Sequence, residues 1–357
     1  MSSAIEKLFQ SYHSAIFSPC GNFLAASDRC GNVIVHKLSN LFRQDPQSNE
    51  NLETATKIRP LVTISSDIET SITVQLLQWN NFLLCCFPDG QVNAYVWSDL
   101  AKQRTTPSWS KRFISARGHS LSIGYEFEAW TTLIDESGRE LLLGGGTSLG
   151  SEYDDCPISC WDLESAKLLN SYRGHKNGIH CLTKNSDKSK ASFEFLSAGE
   201  GGEVGLWDLR TPANSVAIMK PFETECARPN YGRWIGCLVN DGDWIVCGGG
   251  PRLGLWHIGS RSLVKSLMAD GTEVMEHTCG ITADERIITA GSGGKLFHWN
   301  YRGDSIAIMP TVCNFVYDLH YGSISNQKTL AVVGSSPLID LYSNLVYRMT
   351  PLESVAY

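Results

Sequence analysis

The sequence predicts an all-β fold, a single seven-bladed propeller over residues 12–357. Three observations predict it. The first is a repeated phrase. Ser159-Cys160-Trp161-Asp162-Leu163 returns as Gly205-Leu206-Trp207-Asp208-Leu209, and more loosely as Gly254-Leu255-Trp256-His257-Ile258 and Leu296-Phe297-His298-Trp299-Asn300. The second is its period: the tryptophans at 161, 207, 256 and 299 are spaced by 46, 49 and 43. The third is a glycine count of 32, as expected where many tight turns need positive φ.

A period of this size, with a Trp-Asp ending and a Gly-His pair (Gly174-His175) before the next unit, is the signature of a WD40 blade. Each such blade is four short antiparallel strands. The clearest unit runs from about 178 to 221. Gly178 to Leu182 reads as its innermost strand and Phe193 to Ser197 as the second. Glu203 to Trp207 reads as the third and Ser215 to Met219 as the outermost, each bounded by turn residues.

The other blades follow from N- to C-terminus. Residues 1–11 predict a short helix, because Ile5, Leu8 and Phe9 fall on one face at helical spacing. Residues 12–17 predict an inner strand. The slot held by Trp207 is held by His36 in the first blade, Tyr95 in the second and Tyr342 in the seventh, with Trp161, Trp256 and Trp299 between. The counterpart spacings are 59, 66, 46, 49, 43 and 43, so the first two units are stretched. Residues 39–58, rich in Asn, Gln, Glu and Ser, predict an exposed insertion. Residues 100–122 predict a second one, and Gly144 to Asp155 a long loop. Residues 347–352 predict an outer strand. Each blade is therefore expected to be contiguous in sequence. The first and last blades should then meet by face packing, without a borrowed strand.

At 357 residues, one propeller of about 51 residues per blade accounts for the whole chain. The net charge of −7 argues against an autonomous nucleic-acid binder. Two local basic clusters leave room for a weak or indirect RNA contact within a larger assembly. These are Lys102, Arg104, Lys111, Arg112 and Arg117, and Lys184, Lys188 and Lys190. The 12 cysteines lie mostly in or beside predicted strands, with no Cys-x-x-Cys pair, and read as buried thiols acting as small hydrophobes. The N-terminus lacks the apolar core of a signal peptide, and no apolar run approaches membrane-spanning length. Cytosol or nucleus is the expected compartment, and no membrane contact is expected.

No motif carries catalysis or holds a cofactor. Gly146-Thr147-Ser148-Leu149-Gly150 matches the hydrolase nucleophile elbow, but that chemistry needs strand–turn–helix geometry and no helix follows. Gly291-Ser292-Gly293-Gly294-Lys295 fails the phosphate-loop spacing. His175 and His180 near Cys181 lack the further ligands that a metal site needs. In a WD40 blade, His175 instead joins a buried network with Ser197 and Trp207. The usual Asp of that network stands six residues before the Trp. Gly201 occupies that slot here, and only Asp89 and Asp155 fill the equivalent slots elsewhere. Apolar packing is therefore expected to hold many blades.

Two stretches exceed a generic propeller. One runs from Arg228-Pro229-Asn230-Tyr231-Gly232-Arg233-Trp234 through Asp243-Trp244 and Gly248-Gly249-Gly250-Pro251 to Trp256-His257. The other is Ser18-Pro19-Cys20-Gly21-Asn22-Phe23. With Leu206-Trp207-Asp208-Leu209-Arg210-Thr211 and Asn344-Leu345-Val346-Tyr347-Arg348, they resemble the THO complex subunit 6 family, a single WD40 propeller of similar length. Residues 39–58 fit it least. The resemblance implies a non-enzymatic scaffold of the nuclear THO/TREX assembly, which couples transcription and splicing to mRNA export. It also implies docking on the elongated helical subunits 5 and 7, association into higher oligomers, and residence in the nucleus and its speckles. Candidate partner contacts are Asp208, Arg210, Arg228, Tyr231 and Arg233. A competing reading starts from Trp207-Asp208-Leu209-Arg210, which matches the WD-x-Arg box of cullin-RING ubiquitin-ligase substrate receptors. There, Arg210 would dock on the ligase adaptor.

Overall fold

A computed structural model describes residues 10–38, 56–65, 72–113, 127–147, 156–185, 194–211, 215–268 and 276–354, without 225, 229 and 231. The expected helix at 1–11 falls almost wholly outside the described residues. So do Arg117, Ser148, Asp155, Lys188, Lys190 and Tyr231.

Seven antiparallel blades follow one another along the chain. Blade 1 begins with β1 (Tyr12–Phe17), β2 (Phe23–Asp28) and β3 (Val33–Lys37). The chain next forms β4 (Thr56–Ile58), which leaves the blade, and returns as β5 (Val62–Ile64) to complete it. Blade 2 is β6 (Gln75–Trp79), β7 (Phe82–Cys86) and β8 (Gln91–Val96), then a single turn α1 (Trp97–Leu100), then β9 (Trp109–Arg112). Blade 3 is β10 (Phe127–Ile134), β11 (Glu140–Thr147), β12 (Ile158–Asp162) and β13 (Leu168–Tyr172). Blade 4 is β14 (Ile179–Lys184), β15 (Glu194–Gly199), β16 (Val204–Asp208) and β17 (Ala217–Met219). Blade 5 is β18 (Cys237–Asp241), β19 (Trp244–Gly248), β20 (Leu253–His257) and β21 (Ser262–Leu267). Blade 6 is β22 (His277–Ala283), β23 (Arg286–Gly291), β24 (Lys295–Trp299) and β25 (Ser305–Pro310). Blade 7 is β26 (Val316–Ile324), β27 (Gln327–Gly334), β28 (Leu338–Ser343), β29 (Tyr347–Arg348) and β30 (Leu352–Ser354).

The repeat read from sequence is a structural register. In every blade the repeated slot lies on the third strand, opposite an apolar residue of the second. The pairs are Leu24–His36, Leu83–Tyr95, Leu141–Trp161, Phe195–Trp207, Ile245–Trp256, Ile287–Trp299 and Leu330–Tyr342. All seven slot residues are buried. The core is divided among seven clusters, and each joins residues of two adjacent blades. Leu196, Leu206 and Met219 of blade 4, for example, pack on Ile235, Ile245 and Trp256 at blade 5. A blade in isolation would leave both apolar faces wet, so closing the ring buries what the repeat pattern prepares.

Three expectations about the stretched units are corrected. The 100–122 segment is partly regular structure: β9 is the fourth strand of blade 2, with Ala94 opposite Trp109. Gly144 to Thr147 belong to strand β11 rather than to a loop. The glycines suit that strand because a Cβ on Gly145 would lie 1.9 Å from the Glu128 carbonyl oxygen, and one on Gly146 2.6 Å from the Trp130 ring. Closure does use a lent strand. β4, the end of the 39–58 insertion, runs parallel to β30 as Thr56↔Leu352, Lys57↔Glu353 and Ile58↔Ser354. The physical reason is an edge. β30 leaves backbone groups free on its outer side, and a passing extended segment satisfies them. The Thr56 N–H donates to the Pro351 carbonyl at 2.8 Å.

Candidate partner-binding surfaces

The strand order puts the second-to-third turns and the loops between blades at one end of the disc. The first-to-second and third-to-fourth turns lie at the other end. This sorts the candidate residues.

His175, Ser197 and Trp207 form an interior cluster. His175 Nε2 and Ser197 Oγ are 2.6 Å apart, and Trp207 Nε1–H donates to the same hydroxyl at 2.7 Å. All three are buried. Blade 6 keeps half of this arrangement, with Trp299 Nε1–H donating to Thr289 Oγ1 at 2.9 Å. In blade 5, Cys247 stands in the hydroxyl slot, two residues past the Ile245 that pairs with Trp256, and the buried Trp256 Nε1–H has no partner. Asp89 does not join the His175 cluster. It caps its own turn by accepting the Gln91 N–H at 3.1 Å and pairs with Arg112. The reason is position: Asp89 lies two blades away, on the turn that leads into β8.

Two sequence motifs read as possible chemistry resolve into packing. The N–H groups of Gly293 and Gly294 both donate to the Asn314 carbonyl, so the glycine turn has no free donors for a phosphate. His180 stacks on Trp130 with centroids 5.3 Å apart, and Cys181 Sγ donates to the Gly236 carbonyl at 3.2 Å. Among the described residues, no cluster of His, Cys, Asp or Glu could hold a metal ion. The basic clusters are partly neutralised locally. Arg104 meets Asp99, Arg112 meets Asp89 and Lys184 meets Glu136. Lys111 donates to the Leu163 and Glu164 carbonyls.

Asp208 and Arg210 leave β16 at the third-to-fourth turn. Arg210 Nε donates to Asp208 Oδ1 at 3.0 Å and Nη2 to Oδ2 at 2.7 Å, so the guanidinium fork grips its own neighbour. Those bonds hold the Asp208 carboxyl below the usual carboxylate range. Arg228 and Arg233 lie at the opposite end of the disc, in the loop from blade 4 to blade 5. With Phe222, Ala227 and Gly232 they line a cavity of about 340 Å³. Arg228 lies over the Trp234 ring at 4.7 Å and donates to the Trp234 carbonyl. Arg233 lies over the Phe222 ring at 4.6 Å. Burial lowers the Arg228 pKa, and Glu276 opposes that shift. The candidate contacts predicted as one group thus divide between two faces.

Comparisons with known proteins follow the same outline. A WD domain, G-beta repeat, matches residues 166–208, which span the end of blade 3 and most of blade 4. The WD40 propeller of Doa1 superposes with a TM-score of 0.63 at 12% identity, covering 94% of this chain and 93% of that one. Human THO complex subunit 6 is 32% identical over 98% of this chain and 94% of its own length. The chain belongs to the THO complex subunit 6 family. The zebrafish member is 30% identical over 98% of this chain and 99% of its own, and the Arabidopsis thaliana member 22% identical over 76% of this chain and 70% of its own.

The sequence stretch that carries the family resemblance is the one that builds the cavity. Sequence reasoning missed Phe222 and Ala227 as its lining, and Gly202 and Gly250 as the turns against which the two arginines lie. The signal available was the alternation of arginine with aromatic residues through 228–234, beside the Gly248-Gly249-Gly250 run.

Proposed function

We propose that this chain is a non-catalytic scaffold subunit of the THO complex, acting in the nucleus, including its speckles, where transcription and processing are coupled to mRNA export. What carries the reading is the end-to-end match to members of this family. The architecture supports it. Seven interblade cores make a rigid disc, and its two ends present loops to different partners. In this reading the partners are the helical THO subunits 5 and 7, through which the complex reaches higher oligomers.

The WD-x-Arg alternative is weakened by geometry, because the Arg210 fork that would dock on a ligase adaptor is engaged by Asp208. The test is affinity capture of the tagged full-length chain from nuclear extract, read by mass spectrometry. THO subunits 5 and 7 should be enriched. A capture that returns a ubiquitin-ligase adaptor and no THO subunit overturns the proposal.

A further inference from the structure

We propose that the cavity between blades 4 and 5 is a receptor for the carboxylates of an acidic peptide segment, presented by a protein partner. The inference deepens the scaffold reading, on which it rests, by assigning one contact surface and its chemistry.

The cavity is built and not a gap between loose loops. A Cβ on Gly250 would lie 2.2 Å from Arg228 Cδ, so only glycine there lets the Arg228 stem lie across the β19–β20 turn. A Cβ on Gly202, at φ +75°, would lie 2.6 Å from the Arg233 carbonyl oxygen and 3.1 Å from Phe222. Two turns thus give up side chains to seat two arginines. Each guanidinium is then fixed by an aromatic ring, Arg228 by Trp234 and Arg233 by Phe222. Fixing the forks in advance removes ordering cost that a ligand would otherwise bear.

Charge says what the forks wait for. Among the described residues, neither arginine has a carboxylate at ion-pair distance; Arg228 has the Trp234 carbonyl and the two have their rings. Glu276 acts on Arg228 only at a distance. Arg228 is half-buried and Arg233 stands exposed at the mouth; a half-buried cation without an anion is costly, and a carboxylate entering between the two would recover that cost. A planar guanidinium also fits a carboxylate bidentately, which favours Asp, Glu or a chain terminus over a neutral group.

A nucleic acid fits less well. Single-stranded RNA is held by bases stacked on free aromatic faces beside a basic groove. Here each ring already carries an arginine, and the chain as a whole has a charge of −7. At about 340 Å³ the cavity admits one or two side chains and not a tract of nucleotides.

The experiment is fluorescence anisotropy of the full-length chain with labelled hexaglutamate, with hexaglutamine and a six-nucleotide oligo-uridine as comparison probes. Hexaglutamate should bind saturably at 0.1 M salt and hexaglutamine should not. Arg233→Ala should weaken hexaglutamate binding at least tenfold at an unchanged melting temperature, and Lys295→Ala should leave it unaltered. If Arg233→Ala lowers the melting temperature, Arg233→Lys replaces it. That variant keeps the charge over Phe222 and loses the fork, so it should bind several-fold more weakly. The proposal is overturned by absence of saturable hexaglutamate binding, by binding indifferent to both Arg233 variants, or by tighter Arg233-dependent binding of oligo-uridine. Capture of THO subunits is a separate readout. Capture by a chain that ignores hexaglutamate removes only the cavity assignment, and hexaglutamate binding by a chain that captures no THO subunit removes only the scaffold reading.

Discussion

Mild acid should unfold this protein through its buried histidines. His36, His277 and His298 are each at most 2% exposed. Both ring nitrogens of His36 and His298, and Nδ1 of His277, lack hydrogen-bond partners. Burial lowers each pKa from 6.5 to about 4. Above pH 6.5 all three are neutral in either state, and the native fold bears no penalty. As pH falls below 6.5 the unfolded chain takes up protons that the folded chain refuses until about pH 4. Stability is therefore present above the unfolded pKa and lost on acidification. By linkage each histidine removes about 2 kcal/mol by pH 5 and about 3 kcal/mol by pH 4. Asp318 opposes this. Burial raises its pKa from 3.8 to about 6, so the folded state binds that proton first and regains about as much as one histidine loses. His320, whose pKa burial also lowers to about 4, adds about 2 kcal/mol to the loss. A net loss of about 6 kcal/mol between pH 7.5 and 5 remains, large against the 5–15 kcal/mol typical of a domain. The assay is urea denaturation followed by tryptophan fluorescence across that range, for wild type and for His36→Leu. The variant should be no less stable at pH 7.5, where its imidazole had no partners, and should lose about 2 kcal/mol less on going to pH 5. Identical pH slopes for the two proteins would refute the reasoning.

Three further outcomes are expected. Cys247→Ser places a hydroxyl where blade 4 has Ser197 and blade 6 has Thr289, giving the orphaned Trp256 Nε1–H a partner; urea midpoints should rise by about 1 kcal/mol equivalent, and a fall would show that the slot cannot orient the hydroxyl. Arg210→Ala removes an exposed pair with Asp208, so calorimetry should show a change of roughly 0–1 kcal/mol, and THO subunits should be captured as by wild type; their loss would assign Arg210 a direct contact. Thr56→Pro removes the N–H that meets the Pro351 carbonyl, and hydrogen exchange at Leu352–Ser354 should accelerate; unchanged exchange would mean that β4 contributes nothing to closure.

The fold was legible because the repeat is long and its slot residue large. Trp161, Trp207, Trp256 and Trp299 mark third strands directly, and even His36 and Tyr95 keep the register. The stretched blades were harder. Gly144, Gly145 and Gly146 read as a loop, since nothing in the chain announces that a distant Trp130 ring and the Glu128 carbonyl demand glycine in a strand. β9 was hidden because three of the four residues in Trp109-Ser110-Lys111-Arg112 are polar, as suits an edge strand. The candidate contacts were legible as residues but not as surfaces. Asp208 and Arg228 are 20 positions apart, and only the alternating direction of successive strands puts them on opposite ends of the disc.

The closing interface shows what a ring asks of a linear chain. Six of the seven interfaces join blades that follow directly in sequence, so the chain itself keeps the partners close. Contacting residues of blades 7 and 1 lie far apart in the chain, Ser14 and Asp318 by 304 positions, and that contact must be held without covalent help. Three kinds of interaction converge there. Tyr12, Phe17 and Leu24 pack on Ile324, Val333 and Leu341. The Asp318 carboxylate accepts the Ser14 hydroxyl at 2.8 Å and the Ala15 N–H at 3.1 Å, and Ser14 Oγ in turn accepts the Leu76 N–H of blade 2 at 3.2 Å. β4 adds backbone bonds at the rim. The segment that departs most from the repeat therefore ends by serving the ring. The chain leaves blade 1 after β3, lies against blade 7, and returns to complete blade 1 with β5. Only Arg59, Pro60 and Leu61 separate β4 from β5, so the strand that closes the ring and the strand that completes blade 1 are tied by one short link.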